Sequence, residues 1–237
     1  KRNSLMLAVC LVLVLSSCGG EAPGENPFFT EWTTPFGVPP WGEIHEDHFL
    51  PAFERAMAEA RAEVEAIAQN SEPPTFENTV VALDASGLMM NKVASVFYTL
   101  LGSETNDRIQ EIAREVAPLA SNLRDDILMN PQLFERVKVL YGQREEINLD
   151  AEQQNLLDKA YRDFQRGGAE LSDADKERMR EINSELSTLG LNFTDNVLAE
   201  TNKYQLFIDS EEDLAGLPPA VIEGAASAAA AASMSAP

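Results

Sequence analysis

Apolar residues recur at intervals of three and four along most of this 237-residue chain, and this spacing constrains its fold more than any other feature. Such intervals place apolar side chains on one face of an α-helix, and that face needs a partner surface. One run with this spacing comprises Phe49, Phe53, Met57, Ala60, Val64 and Ile67. The pattern predicts an all-α protein, mostly a helical bundle with at most one or two short strands.

The second predicted helix begins after a break at residues 70–74, and Thr75 is expected to cap it. Its apolar stripe comprises Val80, Leu83, Gly87, Met90, Ala94, Phe97 and Leu101. The small residues Gly87 and Ala94 lie on this stripe, so we expect another helix to approach closely there.

Further helices are predicted along the rest of the chain. Asn106 or Thr105 would cap a third helix, and Pro118 should kink it. Its stripe comprises Ile109, Ile112, Val116, Leu119, Leu123 and Ile127. Later helices are predicted from Pro131, over 151–164 with a stop at Gly167-Gly168, after the capping box 172–175, after Ser210 and from Pro218-Pro219. The helix after residue 172 has the stripe Met179, Ile182, Leu186, Leu189, Phe193 and Val197. Residues 204–208 form the one plausible strand.

The N-terminal residues predict a lipoprotein leader. Lys1 and Arg2 precede an apolar run, 5–15, that is too short for a permanent bilayer span. Residues 15–18, Leu-Ser-Ser-Cys, resemble the bacterial lipobox, so the thiol of Cys18 would be the lipidation site. An ordinary leader that happens to end in cysteine is the alternative. The other cysteine, Cys10, lies inside the leader, so the processed chain cannot form an intrachain disulfide.

These features divide the chain into four predicted segments. Residues 1–17 are the signal peptide, and 18–26 are the lipidated cysteine and a flexible tether. Residues 27–48, rich in proline and aromatic residues, form an extended arm that packs on a larger body. Residues 49–237 form the helical domain. The lipid would anchor the protein to a bacterial membrane facing the periplasm, and resemblance to enterobacterial sorting favours the outer membrane.

Net charge excludes one class of partner. The chain has 18 Lys+Arg against 39 Asp+Glu, a formal net charge of −21. Such a field repels nucleic-acid phosphates, so we expect no nucleic-acid partner. The same field mildly favours cationic peptides.

The two histidines lie in the sequence His45-Glu46-Asp47-His48. A zinc peptidase helix carries H-E-x-x-H, in which imidazoles four residues apart share one helix face. Here the histidines are three apart, so we predict that Asp47 caps the following helix and that His48 packs or hydrogen-bonds in its first turn. Metal binding at these two histidines is the disfavoured alternative.

No other pattern in the sequence predicts catalytic residues or metal ligands. The sequence has no G-x-S-x-G elbow and no phosphate-binding G-x-x-x-x-G-K-[ST] loop. Adjacent acidic residues diverge on a helix, and the pairs are expected to be solvated surface. These pairs are Asp125-Asp126, Glu145-Glu146 and Glu211-Glu212.

Several blocks of sequence resemble the thimet-oligopeptidase family of zinc metallopeptidases, especially its bacterial branch of peptidyl-dipeptidases and oligopeptidase A. The more specific blocks are 48–53, His-Phe-Leu-Pro-Ala-Phe, and 73–79, Pro-Pro-Thr-Phe-Glu-Asn-Thr. Weaker matches are 35–39, 82–83, 86–87, 130–131, 133–134, 180–186, 193 and 196–198. The resemblance extends from about residue 26 to about residue 232.

The resemblance implies that this chain is the N-terminal helical wall of a clam-like enzyme with a deep channel. Such an enzyme uses Zn²⁺ to hydrolyse short peptides, in peptidyl-dipeptidases by releasing C-terminal dipeptides. The family's H-E-x-x-H ligands lie far towards its C-terminus and have no counterpart here. We therefore expect this chain to end before the catalytic domain, to bind no zinc and to be inactive alone. The alternative is a non-catalytic helical lipoprotein that binds a peptide or protein partner.

Overall fold

Helices joined by short loops make up most of the computed structural model, which describes residues 25–208 and 210–235. No strand occurs among these residues, and the prediction of an all-α protein is confirmed. The helices are α1 (Phe49–Ala68), α2 (Ala82–Asp84), α3 (Leu88–Ser103), α4 (Asp107–Leu128), α5 (Pro131–Gly142), α6 (Ala151–Arg166), α7 (Asp173–Lys203) and α8 (Pro219–Ser235). Short 3₁₀ turns cover Pro27–Phe29, Pro35–Gly37, Glu46–His48 and Glu211–Leu214.

The described residues divide into two compact units, the first ending at Thr188 and the second beginning at Leu189. In the first unit α1 is central, because it contacts α3, α4 and α5, while α6 packs against α5. All six residues of the predicted α1 stripe are buried, as its period of three and four requires. The ring of Phe97 meets Phe49 and Phe53 edge-on, with centroids 5.1 and 5.3 Å away.

The arm, residues 27–48, is packed at its start and exposed further along. Phe28 is buried against Phe49, with ring centroids 5.3 Å apart. The ammonium group of Lys92 donates hydrogen bonds to the carbonyl oxygens of Phe28 and Thr30, at 3.1 and 2.8 Å. Phe36, in contrast, is fully exposed and has a left-handed backbone, with φ of 61°.

The predicted second helix forms in two pieces. Thr75 caps it as expected, because its hydroxyl accepts a hydrogen bond from the Asn78 N–H at 3.1 Å. A π-helical turn, Phe76–Val81, runs into α2, but Gly87 has φ of 71° and separates α2 from α3. The prediction of one continuous helix is therefore wrong. Close helix approach at Gly87 is also wrong, since a Cβ built there meets no atom within 4 Å.

The same stretch, 76–103, is long and apolar enough to cross a membrane by length and composition alone. Helices at the core of other folded proteins pass the same test. Here the backbone turns at Gly87, and α3 packs against α1 through Val93 and Phe97. The contacts of this stretch are therefore those of a helix bundle.

Side-chain caps start the later helices close to where the sequence predicts. The side chain of Asn106 accepts from the Ile109 N–H at 3.0 Å and starts α4. Asn130 and Asp150 cap α5 and α6, and Ser210 caps the 3₁₀ turn Glu211–Leu214. Pro118 lies inside α4. Leu119, predicted to be on the buried stripe of α4, is instead exposed.

The second unit is described over residues 189–208 and 210–235. None of residues 189–208 and 210–231 is buried. Residues 204–208 have no regular structure, so the predicted strand is wrong. A strand is stable only when its backbone N–H and C=O groups pair with another strand, and the described residues offer none.

Candidate functional site

A cleft of about 530 Å³ opens in the first unit between α4, the end of α6 and the start of α7. Its lining combines charged, polar and apolar side chains. The lining residues are Ser121, Arg124, Asp125, Leu128, Asp163, Arg166, Gly167, Met179, Asn183, Leu186 and Ser187. A concave site of this size with a few polar groups is the usual form of a small-ligand site.

A buried carboxylate lies in the wall of this cleft. Asp125 is only 3 % exposed, and its Oδ1 accepts a hydrogen bond from the side-chain amide of Asn183 at 2.7 Å. The other oxygen, Oδ2, is buried and has no hydrogen-bond partner among the described residues. The prediction that Asp125 is solvated surface is therefore wrong, because Asn183 of α7 lies against it.

Its neighbour Asp126 has the exposed position that the sequence predicts. One carboxylate oxygen of Asp126 lies 2.8 Å from Nη1 of Arg180, and the other lies 3.6 Å from Nε of Arg61. Adjacent residues diverge by about 100° on a helix, so one aspartate turns into the cleft wall and the other turns to solvent.

Two arginines at the cleft have no counter-charge. Arg124 and Arg166 are both exposed, and neither guanidinium has a hydrogen bond or ion pair with any residue in 25–208 or 210–235. Most other arginines in the first unit pair with carboxylates, as Arg61, Arg108 and Arg180 do. The free guanidinium groups can therefore bind an anion from outside.

Gly167 brings α6 onto α4 beside the cleft. A Cβ atom built on Gly167 would lie 2.6 Å from Cβ of Leu128 and 2.9 Å from the Asp163 carbonyl oxygen. The next residue, Gly168, has φ of 91° and turns the chain towards α7. The sequence predicts a helix stop at this pair of glycines. The structure shows in addition that Gly167 is required for close packing.

The two histidines are close together and are linked by a hydrogen bond. Their ring centroids are 5.4 Å apart, and Nδ1 of His48 accepts a hydrogen bond from the His45 backbone N–H at 3.0 Å. Burial, and secondarily the charge of His45, lower the pKa of His48. His48 does hydrogen-bond, but within the 3₁₀ turn that precedes α1 and not in the first turn of α1. Asp47 does not cap α1, because the N-cap position is His48 and Asp47 lies within the preceding 3₁₀ turn.

No group of three histidine, cysteine, aspartate or glutamate side chains is placed to hold a metal ion in 25–208 or 210–235. The donors in this part of the chain therefore do not fit the Zn²⁺ of a catalytic site, which needs three protein ligands around one point. Cys18, the predicted lipidation site, lies outside the described residues, as do the leader, 1–17, and most of the tether.

The sequence blocks that resemble the family contribute core residues and helix caps. In the block 48–53, Phe49, Ala52 and Phe53 are buried in the core. In the block 73–79, the side chain of Asn78 accepts from the Thr75 N–H at 2.8 Å and from Nη2 of Arg136 at 2.8 Å. These residues stabilise the fold of the first unit.

The chain is similar in sequence to known peptidases. The homologues of the chain are dipeptidyl carboxypeptidases and oligopeptidases A of the thimet-oligopeptidase family, as the sequence blocks predict. No protein-family model matches the chain.

Dipeptidyl carboxypeptidase of Escherichia coli is 35 % identical over 204 residues, which cover 86 % of this chain and 30 % of that protein. Oligopeptidase A of Salmonella typhimurium is 28 % identical over 200 residues, covering 84 % and 29 %. Organellar oligopeptidase A of Arabidopsis thaliana is 22 % identical over 209 residues, covering 88 % and 26 %. The chain thus spans less than a third of the length of these relatives. They are peptidases, and they give no support to the alternative of a non-catalytic lipoprotein.

Proposed function

We infer that this chain is the N-terminal, channel-wall part of a longer zinc-dependent oligopeptidase of the peptidyl-dipeptidase type. The observation that carries this inference is the 35 % identity to a dipeptidyl carboxypeptidase over 204 residues that make up 30 % of that relative. Similarity over so long a stretch includes the core residues of α1 and the capping box at Thr75, so it reflects a common fold.

We expect this chain to position the peptide substrate, because its described residues offer no metal site for cleaving it. A wall of helices orders and confines a short peptide, and holding a substrate in place supplies a large part of a rate enhancement. Bond cleavage would depend on a Zn²⁺ site in the part of the relatives' length that this chain does not match.

Exposed apolar residues of the first unit support a longer protein. Leu88 and Leu186 are 66 % and 59 % exposed, and Ile182 is also exposed. Isolated apolar residues are common on surfaces, but Ile182 and Leu186 are four apart on α7 and share one face. In the proposed enzyme this face packs against the remaining polypeptide.

The proposed location is a bacterial membrane, with a lipid on Cys18 and the peptidase facing the periplasm. The leader sequence Leu-Ser-Ser-Cys supports this proposal. Metabolic labelling with palmitate should mark the protein, and Cys18→Ala should abolish both labelling and membrane retention. Labelling that survives in the Cys18→Ala variant would refute the anchor and leave the peptidase assignment standing.

The test of the main proposal starts from the gene. The reading frame should continue beyond the codon for Pro237 and encode H-E-x-x-H on a helix. The longer product should bind one Zn²⁺ and release C-terminal dipeptides from N-blocked peptides, and chelation should abolish this activity. The 237-residue chain is the matched control and should do neither. A frame that stops after Pro237, or a longer product that releases no dipeptide, would refute the proposal.

A further inference from the structure

We propose that an uncharged loop of the arm, residues 32–42, inserts into the surface of a lipid bilayer, with Phe36, Val38 and Trp41 among the headgroups and the upper acyl chains. The loop would be a second, weaker membrane contact beside the lipid on Cys18. The inference rests on the membrane location proposed above, because that lipid would bring the loop to the bilayer.

The loop exposes three large apolar side chains. Phe36 is fully exposed, and Val38 and Trp41 are 47 % and 48 % exposed. Single apolar residues are common on a protein surface, but these three fall within six consecutive residues and form a patch. Tryptophan and other aromatic residues are enriched where a membrane meets water, because their rings are apolar and their polar atoms can stay hydrated. The exposed side chains of the loop are therefore of the kind that lies at a bilayer surface.

The loop also contains no charged residue. Charged residues make up 24 % of the chain, yet none occurs from Trp32 to Gly42, and Glu31 and Glu43 flank this stretch. A loop that faces only water gains solubility from charged residues, whereas a charge carried into a bilayer is costly. The net charge of −21 opposes binding to anionic lipid, so the loop suits a zwitterionic bilayer.

The loop satisfies part of its backbone hydrogen bonding internally. The N–H of Gly37 donates to the carbonyl oxygen of Thr34 at 3.0 Å, and the Thr34 hydroxyl donates to the carbonyl oxygen of Val38. The N–H of Trp41 donates to the carbonyl oxygen of Pro39 at 2.8 Å. Three prolines, at positions 35, 39 and 40, have no N–H group. These features lower the cost of moving the backbone from water into the bilayer surface, where an unpaired N–H group finds few acceptors.

The arm is held near the predicted lipid. The side-chain amide of Asn26 donates to the carbonyl oxygen of His48 at 2.8 Å, so the two ends of the arm meet, and Phe36 lies near the midpoint of its sequence. Eight residues lead from Cys18 to Asn26, and a chain of that length spans at most about 30 Å. A lipid on Cys18 would therefore keep the base of the arm near the bilayer, where a high effective concentration favours even a weak second contact.

The experiment uses the processed chain, residues 18–237, coupled to vesicles through the thiol of Cys18, its single cysteine. The vesicles consist of phosphatidylcholine with a small fraction of maleimide lipid, with or without brominated acyl chains, which quench tryptophan on contact. The chain has two tryptophans, so Trp32→Phe leaves Trp41 as the sole reporter. Brominated lipid should lower the fluorescence of Trp41 at least about twofold, because the loop places its ring at the bilayer surface.

Matched variants test which side chain makes the contact. In the Trp32→Phe background, Phe36→Asp should abolish the quenching of Trp41, and aspartate tolerates the left-handed backbone at this position. Leu88→Asp puts the same charge on an exposed apolar residue at the start of α3, outside the loop, and should leave the quenching unchanged. Thermal melts followed by circular dichroism show that each variant is folded.

Three results would overturn the proposal. The first is no quenching of Trp41 by brominated lipid in the coupled, folded chain, and the second is equal quenching in folded Phe36→Asp. The third is resistance of the bond after Phe36 to chymotrypsin in the longer gene product without vesicles, since the remaining polypeptide would then cover the loop.

The coupling replaces the natural lipid, so the outcome does not depend on whether cells lipidate Cys18. Palmitate labelling tests that modification separately, and neither experiment depends on the zinc content or the dipeptide release of the longer product. The loop contact, the lipid anchor and the peptidase assignment can therefore fail independently.

Discussion

Arg136 shows how one side chain fixes the joint between α1 and the π-helical turn. It is buried, and its Nη1 donates to the carbonyl oxygens of Asn70 and Glu72 at 2.8 and 3.0 Å. Its Nη2 donates to the Asn78 side chain at 2.8 Å. The guanidinium fork thus holds the loop that separates the two helices and the residue that closes the capping box at Thr75.

Arg136→Lys should therefore destabilise the first unit. A lysine ammonium is a single point and cannot span acceptors in three directions, so at least one of these part-buried hydrogen bonds would be lost. We expect a loss of about 1–3 kcal/mol in the free energy of unfolding, measured by urea denaturation at pH 7. Arg178→Lys, on an exposed residue paired with Glu181, should change it by less than about 0.5 kcal/mol. Equal stability of the two variants would contradict this account of the joint.

Sequence patterns predict single residues only where their partners are local. Thr75, Asn106 and Ser210 act within three residues, and their capping roles were predictable. Asp125 and Asn183 are 58 residues apart, so the acidic pair 125–126 alone indicates solvent exposure. One signal was present: Ser121, Asp125 and Leu128 are spaced by four and three, which indicates a second covered face on α4.

Helix ends in the first unit depend on glycines with different physical roles. Gly87 and Gly168 supply positive φ, which permits a turn. Gly167 is in ordinary helical conformation, with φ of −75°, and is needed because Leu128 lies against it. The sequence predicts the helix stop at Gly167-Gly168. It does not predict the break at Gly87, because Gly87 lies at a position that continues the apolar stripe of a single helix.

Gly167→Ala should destabilise the first unit. The added Cβ would lie 2.6 Å from Cβ of Leu128, and the nearby Asp163 carbonyl cannot rotate away. We expect the packing of α6 on α4 to loosen, at a cost of about 1–3 kcal/mol in the free energy of unfolding. Gly190→Ala is the control, since a Cβ at this exposed position in α7 meets nothing within 4 Å. Alanine there should stabilise the helix by up to about 1 kcal/mol. Thermal or urea denaturation gives both values, and a stabilising Gly167→Ala would show that Leu128 has room to move.

Over the whole molecule, buried residues are distributed unequally between the two units. The first unit contains every buried residue of the described chain, including the aromatic cluster of Phe49, Phe53 and Phe97. In the second unit Phe193, Tyr204, Leu206 and Phe207 are each at least 70 % exposed. The sequence predicts the apolar stripes. It does not show which stripes are buried, because burial depends on chain segments that lie far away in the sequence.

The difference in burial between the two units predicts the order in which a protease cuts the chain. Chymotrypsin needs a locally unfolded segment around an aromatic or leucine residue, and segments with few buried contacts open at the lowest free-energy cost. Cleavage should therefore begin in the second unit, after Phe193, Tyr204, Leu206 or Phe207. The fully exposed Phe36 of the arm should be cut comparably early, whereas bonds next to the buried Phe97 and Phe164 should be cut last. Mass spectrometry of a digestion time course measures this order.

The same digestion applied to the longer gene product shows whether its remaining polypeptide covers the exposed residues of the second unit or leaves them exposed. If the remaining polypeptide covers them, sites between 193 and 207 should become as resistant as the site at Phe97, because burial removes local opening. If they stay accessible in the longer protein, its other part does not pack against this unit. Early resistance of these sites in the 237-residue chain itself would contradict the exposed state of the second unit.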